Sequence, residues 1–332
     1  MRFGSMPRLF ATLLALLALA SPSGTNALTY TAATYTLENS DGLNASGASV
    51  NRAFGAAVHA SDGLLLAAVN STCGELFTSI PSTPGDDPVS TTMCMTDADE
   101  IAGDQLTDRA DHFAFADDVV VIGTPNRERK TGGADVWRWD ASSSTLAGPA
   151  ALGSGDGRIG HMGTAAATSG GDVIVLGAPA DDNDKGAAYV FLDYAKNNAW
   201  TRSPARLFDP NGAAGDEFGG VVAVHNGDEG TGNGWIVVAS LKSASNAGAV
   251  HLFARAGSPG AYAWFLSQTV TPVTAGTPKG FGAGLAMTGR YLLVATRPSA
   301  VGETDGGAWG EVYYLAGPDS VRFFLFPYGQ LD

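Results

Sequence analysis

Five times along the chain the same string recurs: a Phe-Gly-like pair, a run of Val, Ile and Leu closed by a small residue, a short loop, then Gly and an aromatic strand. One unit of this size cannot bury its own apolar face, so the units must stack on one another, and a single large enzyme core is excluded. The openings fall at Phe54-Gly55, Leu106-Thr107, Ile159-Gly160, Phe218-Gly219 and Phe281-Gly282, at intervals of 52, 53, 59 and 63 residues. That is the length of a four-stranded β-propeller blade with its loops.

The second strand of each unit aligns without gaps: Gly63 to Ala68, Asp118 to Gly123, Asp172 to Gly177, Trp235 to Ala239 and Tyr291 to Ala295. Continuous apolar runs suit strands covered on both faces, which is the situation of a blade between two others. The last column holds only Gly or Ala (Ala68, Gly123, Gly177, Ala239, Ala295), which lets neighbouring backbones approach closely. Pro125 and Pro179 follow two residues later, where a missing donor ends pairing. Third strands are expected to open at Gly74, Gly133, Gly186, Gly248 and Gly310 and to carry Phe77, Trp137, Tyr189, Phe253 and Tyr313. Outer strands are less regular, around Trp200 to Leu207, Trp264 to Val270 and Val321 to Phe326.

These residues resemble the FG-GAP repeat, the blade of the integrin α-subunit β-propeller. The third unit carries most of the motif in Ile159-Gly160, Val175 to Pro179 and Gly186 to Phe191, and the resemblance spans roughly residues 50 to 316. It implies an all-β propeller that recognises a protein or glycan ligand through loops on one face. The second unit departs from the pattern, with Leu106-Thr107 for Phe-Gly and an apparent extra residue, read as a bulge, in Gly133 to Trp139. Integrin-type rings have seven blades and five units are counted here, so the ring is expected to hold five to seven. Tyr35-Thr36-Leu37 reads as a further outer strand that would close the ring, competing with Val321 to Phe326 for that edge.

The resemblance also implies calcium, held in integrin blades by a loop of alternating carboxylates between the first and second strands. Most of the corresponding turns here are too short to supply the oxygens. The fourth is longer, His225 to Gly234, and offers Asn226, Asp228 and Asn233, with Glu229 beside them. Two readings stand for it, a calcium site and a Gly-rich surface loop, the second favoured. Asp181 to Gly186 has a cation-binding composition but the wrong place in the unit, and is expected to be a solvated acidic turn.

Catalysis finds little support. His59, His112 and His225 fall near the end of their first strands, but without shared register, nucleophile motif or paired metal spacing. The Gly-rich stretch Gly153 to Gly157 precedes no helical pattern and is a turn, not a phosphate loop. No catalytic residue is therefore assigned, and the chain is expected to be a non-catalytic binding or adhesion module; an extracellular hydrolase or lyase and a structural envelope component remain as alternatives.

Residues 1–27 read as a secretory signal, with Arg2 and Arg8 ahead of the apolar run Leu9 to Ala20, and residues 28–332 as one propeller domain. No later segment is long and apolar enough to span a bilayer, so a secreted or cell-surface product without stable membrane insertion is expected. Losing the two arginines takes the formal charge from −14 to −16, which argues against nucleic acid as a partner. In an exported chain the only cysteines, Cys73 and Cys94, are expected to form a disulfide. Asn44 and Asn70 head glycosylation triplets.

Overall fold

The computed structural model describes the strands of residues 58–61, 64–68, 73–79 and 89–94, then 112–170, 172–225, 227, 234–257, 262–272, 280–288, 291–296, 310–317 and 320–324. These form five antiparallel sheets, each a meander of four strands in chain order. The first holds β1 (Val58–Ser61), β2 (Leu64–Ala68), β3 (Cys73–Ser79) and β4 (Val89–Cys94). The second holds β5 (Phe113–Ala116), β6 (Val119–Gly123), β7 (Gly133–Asp140) and β8 (Thr145–Gly153). The third is built from β9 (Ala165–Thr168), β10 (Val173–Ala178), β11 (Ala187–Leu192) and the short β12 (Thr201–Arg202). The fourth comprises β13 (Phe218–His225), β14 (Trp235–Ser240), β15 (Ala249–Ala256) and β16 (Ala263–Val270). The fifth comprises β17 (Phe281–Thr288), β18 (Tyr291–Thr296), β19 (Gly310–Gly317) and β20 (Ser320–Phe324).

Consecutive sheets stack through their first strands, β1 on β5, β5 on β9, β9 on β13 and β13 on β17. Because side chains alternate across a strand, each apolar run serves two interfaces at once. Val120 and Ile122 pack toward Leu66 of the first sheet, whereas Val119 and Val121 pack toward Ile174 and Leu176 of the third. Val173 and Val175 point the other way, to Ile236 and Val238 of the fourth sheet. Each fully buried Val, Leu or Ile contributes up to about 1.5–3 kcal/mol, and no polar residue could share either face without cost. The fifth sheet departs from this pattern. Leu292 and Val294 join the core with the fourth sheet, but Tyr291 and Leu293 on the opposite face are 54% and 43% exposed.

The small column holds its register in all five sheets: Ala68, Gly123, Gly177, Ala239 and Ala295 sit opposite Gly74, Ala134, Ala188, Val250 and Gly310. That register corrects several sequence assignments. The third unit opens at Met162-Gly163, not Ile159-Gly160: Met162 is fully buried and bridges Gly132 as Phe218 bridges Gly186, while Ile159 is 63% exposed. The equivalent of Gly186 and Gly248 is Gly132, not Gly133; all three have φ between 81° and 89°. Counted from Gly132 the second unit has no extra residue on this side, and its irregularity lies on the other edge, where β7 shifts against β8 between Val136 and Arg138. Gly74 and Gly310 stand two places later in the unit, opposite the small column.

The aromatic column is likewise Phe77, Trp137, Phe191, Phe253 and Tyr313, opposite Leu65, Val120, Ile174, Ile236 and Leu292. Tyr189 belongs two places earlier, to a column that is polar in every sheet: Glu75, Asp135, Tyr189, His251 and Glu311, all nearly inaccessible to solvent.

Between the second and third strands of the middle sheets the chain makes a left-handed turn of three residues, at Glu128-Arg129-Lys130, Asp182-Asn183-Asp184 and Ala244-Ser245-Asn246, all with positive φ. Non-glycine residues resist this conformation, so something must hold it. The holding groups come from the next sheet. The N–H groups of Glu217 and Phe218 donate to the carbonyls of Asp184 and Lys185 at 2.8 and 3.1 Å, and those of Gly280 and Phe281 to Asn246 and Ala247 at 2.8 and 2.9 Å. The Phe-Gly opening is thus the plug that one sheet inserts under the turn of the previous one. In the first sheet Cys73 and Cys94 are direct cross-strand partners joined by a disulfide, and closing that loop is worth about 3 kcal/mol by chain entropy.

Candidate functional site

In such meanders the loops after the first and third strands leave at one end of the sheets. At that end charged side chains tie the second sheet to the third, and a pair of tyrosines ties the third to the fourth. Arg138 near the end of β7 donates to Asp118 at 2.6 Å and across the sheet boundary to Asp193 at 3.2 Å. Asp193, 2% exposed, also accepts the N–H groups of Asn197 at 3.3 Å and Asn198 at 2.7 Å, so one buried carboxylate folds the whole β11–β12 loop over itself. Asp140 closes the β7–β8 loop the same way, with Ser142 and Ser143, and those hydrogen bonds hold its carboxyl down at about 2.

The braced loop carries an exposed Tyr194, whose ring lies 5.8 Å from that of Tyr262 in the fourth sheet, tilted by 60°. Burial raises the Tyr194 phenol and a backbone hydrogen bond from Tyr262 opposes the shift, so the hydroxyl stays protonated and links the two sheets. Tyr262 is itself fixed from behind by the Arg255 guanidinium, 4.2 Å from its ring centre. Below the tyrosines a groove of about 610 Å³ opens along the β11–β12 loop and the start of β12. Its volume falls in the range of small-molecule sites, and its walls are mainly apolar, with the neutral polar groups of Asn197, Thr201 and Ser203 and the charged Asp193 and Arg202 among them.

The opposite end holds a second charged cluster. Asp181, 1% exposed, accepts from Arg158 Nε at 2.7 Å, Arg206 at 2.6 Å and the Tyr189 hydroxyl at 3.0 Å. Its carboxylate is therefore buried and saturated by guanidinium groups, which corrects the expectation of a solvated acidic turn; only Asp182, Asn183 and Asp184 face water. The same geometry recurs with reversed charge in the second sheet, where Arg127 reaches eight residues ahead to Asp135 at 2.7 Å.

The expected calcium donors Asn226, Asp228 and Asn233 lie outside the described residues, as do Asn44 and Asn70 and the leader 1–27. Among the described residues the carboxylates of Asp118, Asp181 and Asp193 are answered by arginines and are not free to bind the ion. No group of three His, Cys, Asp or Glu side chains converges on a metal position among the described residues. The three histidines do not share a rim. His59 lies within β1, His112 immediately before β5 and His225 at the last residue of β13. His112 is buried against Phe113, and burial lowers it to about 4.

Sequence reading missed the groove, because Asp193, Tyr194 and Tyr262 lie in loops that the repeat alignment does not constrain. An acid at the end of the third strand, Asp140 as the last residue of β7 and Asp193 just past β11, was the available signal. No known protein family matches the chain. No characterised protein matches it either.

Proposed function

We propose that the chain is an exported β-propeller of FG-GAP-like blades that works as a non-catalytic binding module, taking its ligand at the end of the sheets where the first-to-second and third-to-fourth strand loops emerge. Five stacked four-stranded meanders support the propeller reading, and the exposed face of Tyr291 and Leu293 on the fifth sheet is where a further blade, or the first, would pack to close a ring. The disulfide supports an oxidising compartment, and no helix among the described residues is long and apolar enough to cross a membrane.

The observation that carries the binding role is the groove below Tyr194 and Tyr262: a loop braced by a buried carboxylate presents aromatic surface to solvent, with no nucleophile and base paired beside it among the described residues. The test is to pass the purified chain over immobilised extracellular proteins and glycans and, in parallel, over a broad hydrolase panel. Binding without turnover is expected, and binding weakened by Tyr262→Ala; turnover of any panel substrate by a homogeneous sample overturns the non-catalytic reading.

A further inference from the structure

We infer that the groove below Tyr194 and Tyr262 is a carbohydrate site, taking a neutral pyranose with one ring face on the tyrosines. The inference rests on the binding-module reading and names its ligand class. Two rings in contact at 5.8 Å and tilted by 60° brace each other and present flat apolar surface at the rim of the groove, matching the C–H face of a sugar. Further along, the groove presents hydroxyl and amide groups, from Thr201, Ser203 and Asn197. Asn197 Oδ1 is spent on the N–H of Ala199 at 3.2 Å, which leaves its amide N–H groups to donate outward. A surface that stacks and offers neutral donors and acceptors complements a ring that is apolar on its face and hydroxylated on its rim.

The charges argue for neutrality. Asp193 is satisfied by Arg138 and the loop N–H groups. Arg202 also lines the groove, but its guanidinium is directed to Asp156 at 3.6 Å and to the Tyr189 ring at 5.7 Å. Among the residues that line the groove, the two charged ones are thus each paired, and the exposed Lys196 of the same loop lies outside that lining. Tyr262 already carries Arg255 on one face, which withdraws electron density and disfavours a second cation on the other. A peptide added as a strand needs a free sheet edge, and β12 offers only Thr201 and Arg202 before Pro204, which has no N–H.

The experiment is saturation-transfer NMR on the full chain with methyl glycosides of glucose, galactose, mannose and N-acetylglucosamine, and with glucuronate as the acidic control. At least one neutral glycoside is expected to receive saturation, with the ring C–H protons on one face strongest. Tyr194→Ala and Tyr262→Ala should each lower its affinity at least tenfold, Tyr194→Phe and Ser203→Ala only a few-fold, and Phe208→Ala, at the far end of the sheets, not at all. Ser203→Ala guards against a variant that merely unfolds. If only glucuronate binds, or no glycoside binds, the neutral-sugar assignment falls. If an extracellular protein then binds and Tyr262→Ala abolishes it, the module reading survives the loss of the sugar; if nothing binds at these loops, both fall together.

Discussion

A Cβ built on Gly177 would stand 2.0 Å from the carbonyl oxygen of Gly219. Gly123 is in the same position against Gly163, also at 2.0 Å. The small residue near the end of one sheet's second strand therefore touches the backbone of the next sheet's opening glycine, and at these two positions the column is glycine because a main chain occupies the space a side chain would need.

Gly177→Ala should accordingly destabilise the chain by about 1–3 kcal/mol, since neither contact partner is a flexible side-chain tip. Gly153→Ala is the control, because nothing lies within 4 Å of its built Cβ and its φ is not positive. Its effect should stay within about 0.5 kcal/mol. Urea melts of both variants decide the matter, and an unchanged Gly177→Ala midpoint would show that the two sheets do not meet there.

The second strands and their small column were legible because burial on both faces writes a continuous apolar run, and because a close backbone contact tolerates only Gly or Ala. The openings were misplaced by three residues in the third unit for an equally physical reason. Ile159-Gly160 imitates the motif, but what the turn above demands is a buried side chain followed by a glycine at positive φ, and Met162-Gly163 meets it: Gly163 has φ 93°, as Gly219 has 96°. The polar column was invisible because its members share no chemistry. Asp135 meets an arginine, Tyr189 an aspartate, and His251 the Ser240 hydroxyl at 2.9 Å; position is repeated while charge is not.

Arg127 and Asp135 form an ion pair with side chains 5% and 0% exposed. Removing one partner leaves the other charge buried without compensation, at a cost of about 3–5 kcal/mol, whereas removing both exchanges the pair for apolar contact. Arg127→Met should therefore be far more damaging than Arg127→Met combined with Asp135→Leu. Denaturant midpoints of the single and double variants give the coupling directly, and additive losses would mean the two groups do not depend on each other.

His112 is expected to make stability fall on mild acidification. Burial lowers its folded value from 6.5 to about 4, so between these limits the unfolded chain binds the proton and the native chain does not. Stability is unaffected by this group above about pH 6.5, declines as pH falls toward 4, and is level below that; the full loss approaches about 3 kcal/mol. Its Nε2 has no partner, so His112→Phe should keep the packing on Phe113 and remove this slope. Thermal melts from pH 7.5 to 4 on both proteins test it, and parallel curves would assign the acid sensitivity to other groups.

Calcium measures how far the integrin resemblance reaches. Because the carboxylates of Asp118, Asp181 and Asp193 are committed to arginines, these turns should gain nothing from the ion. A site of about 10 µM affinity would add roughly 2.7 kcal/mol in millimolar calcium, which shifts a melt visibly. We expect chelator and calcium melts to coincide closely, and any residual shift to vanish in Asp228→Ala, since the loop from Asn226 to Asn233 alone among the first-to-second strand connections has the length to gather several oxygens. A large calcium shift that survives this substitution would sink the placement, because the Asp181 carboxylate, held by Arg158 and Arg206, is not free to supply the alternative cage.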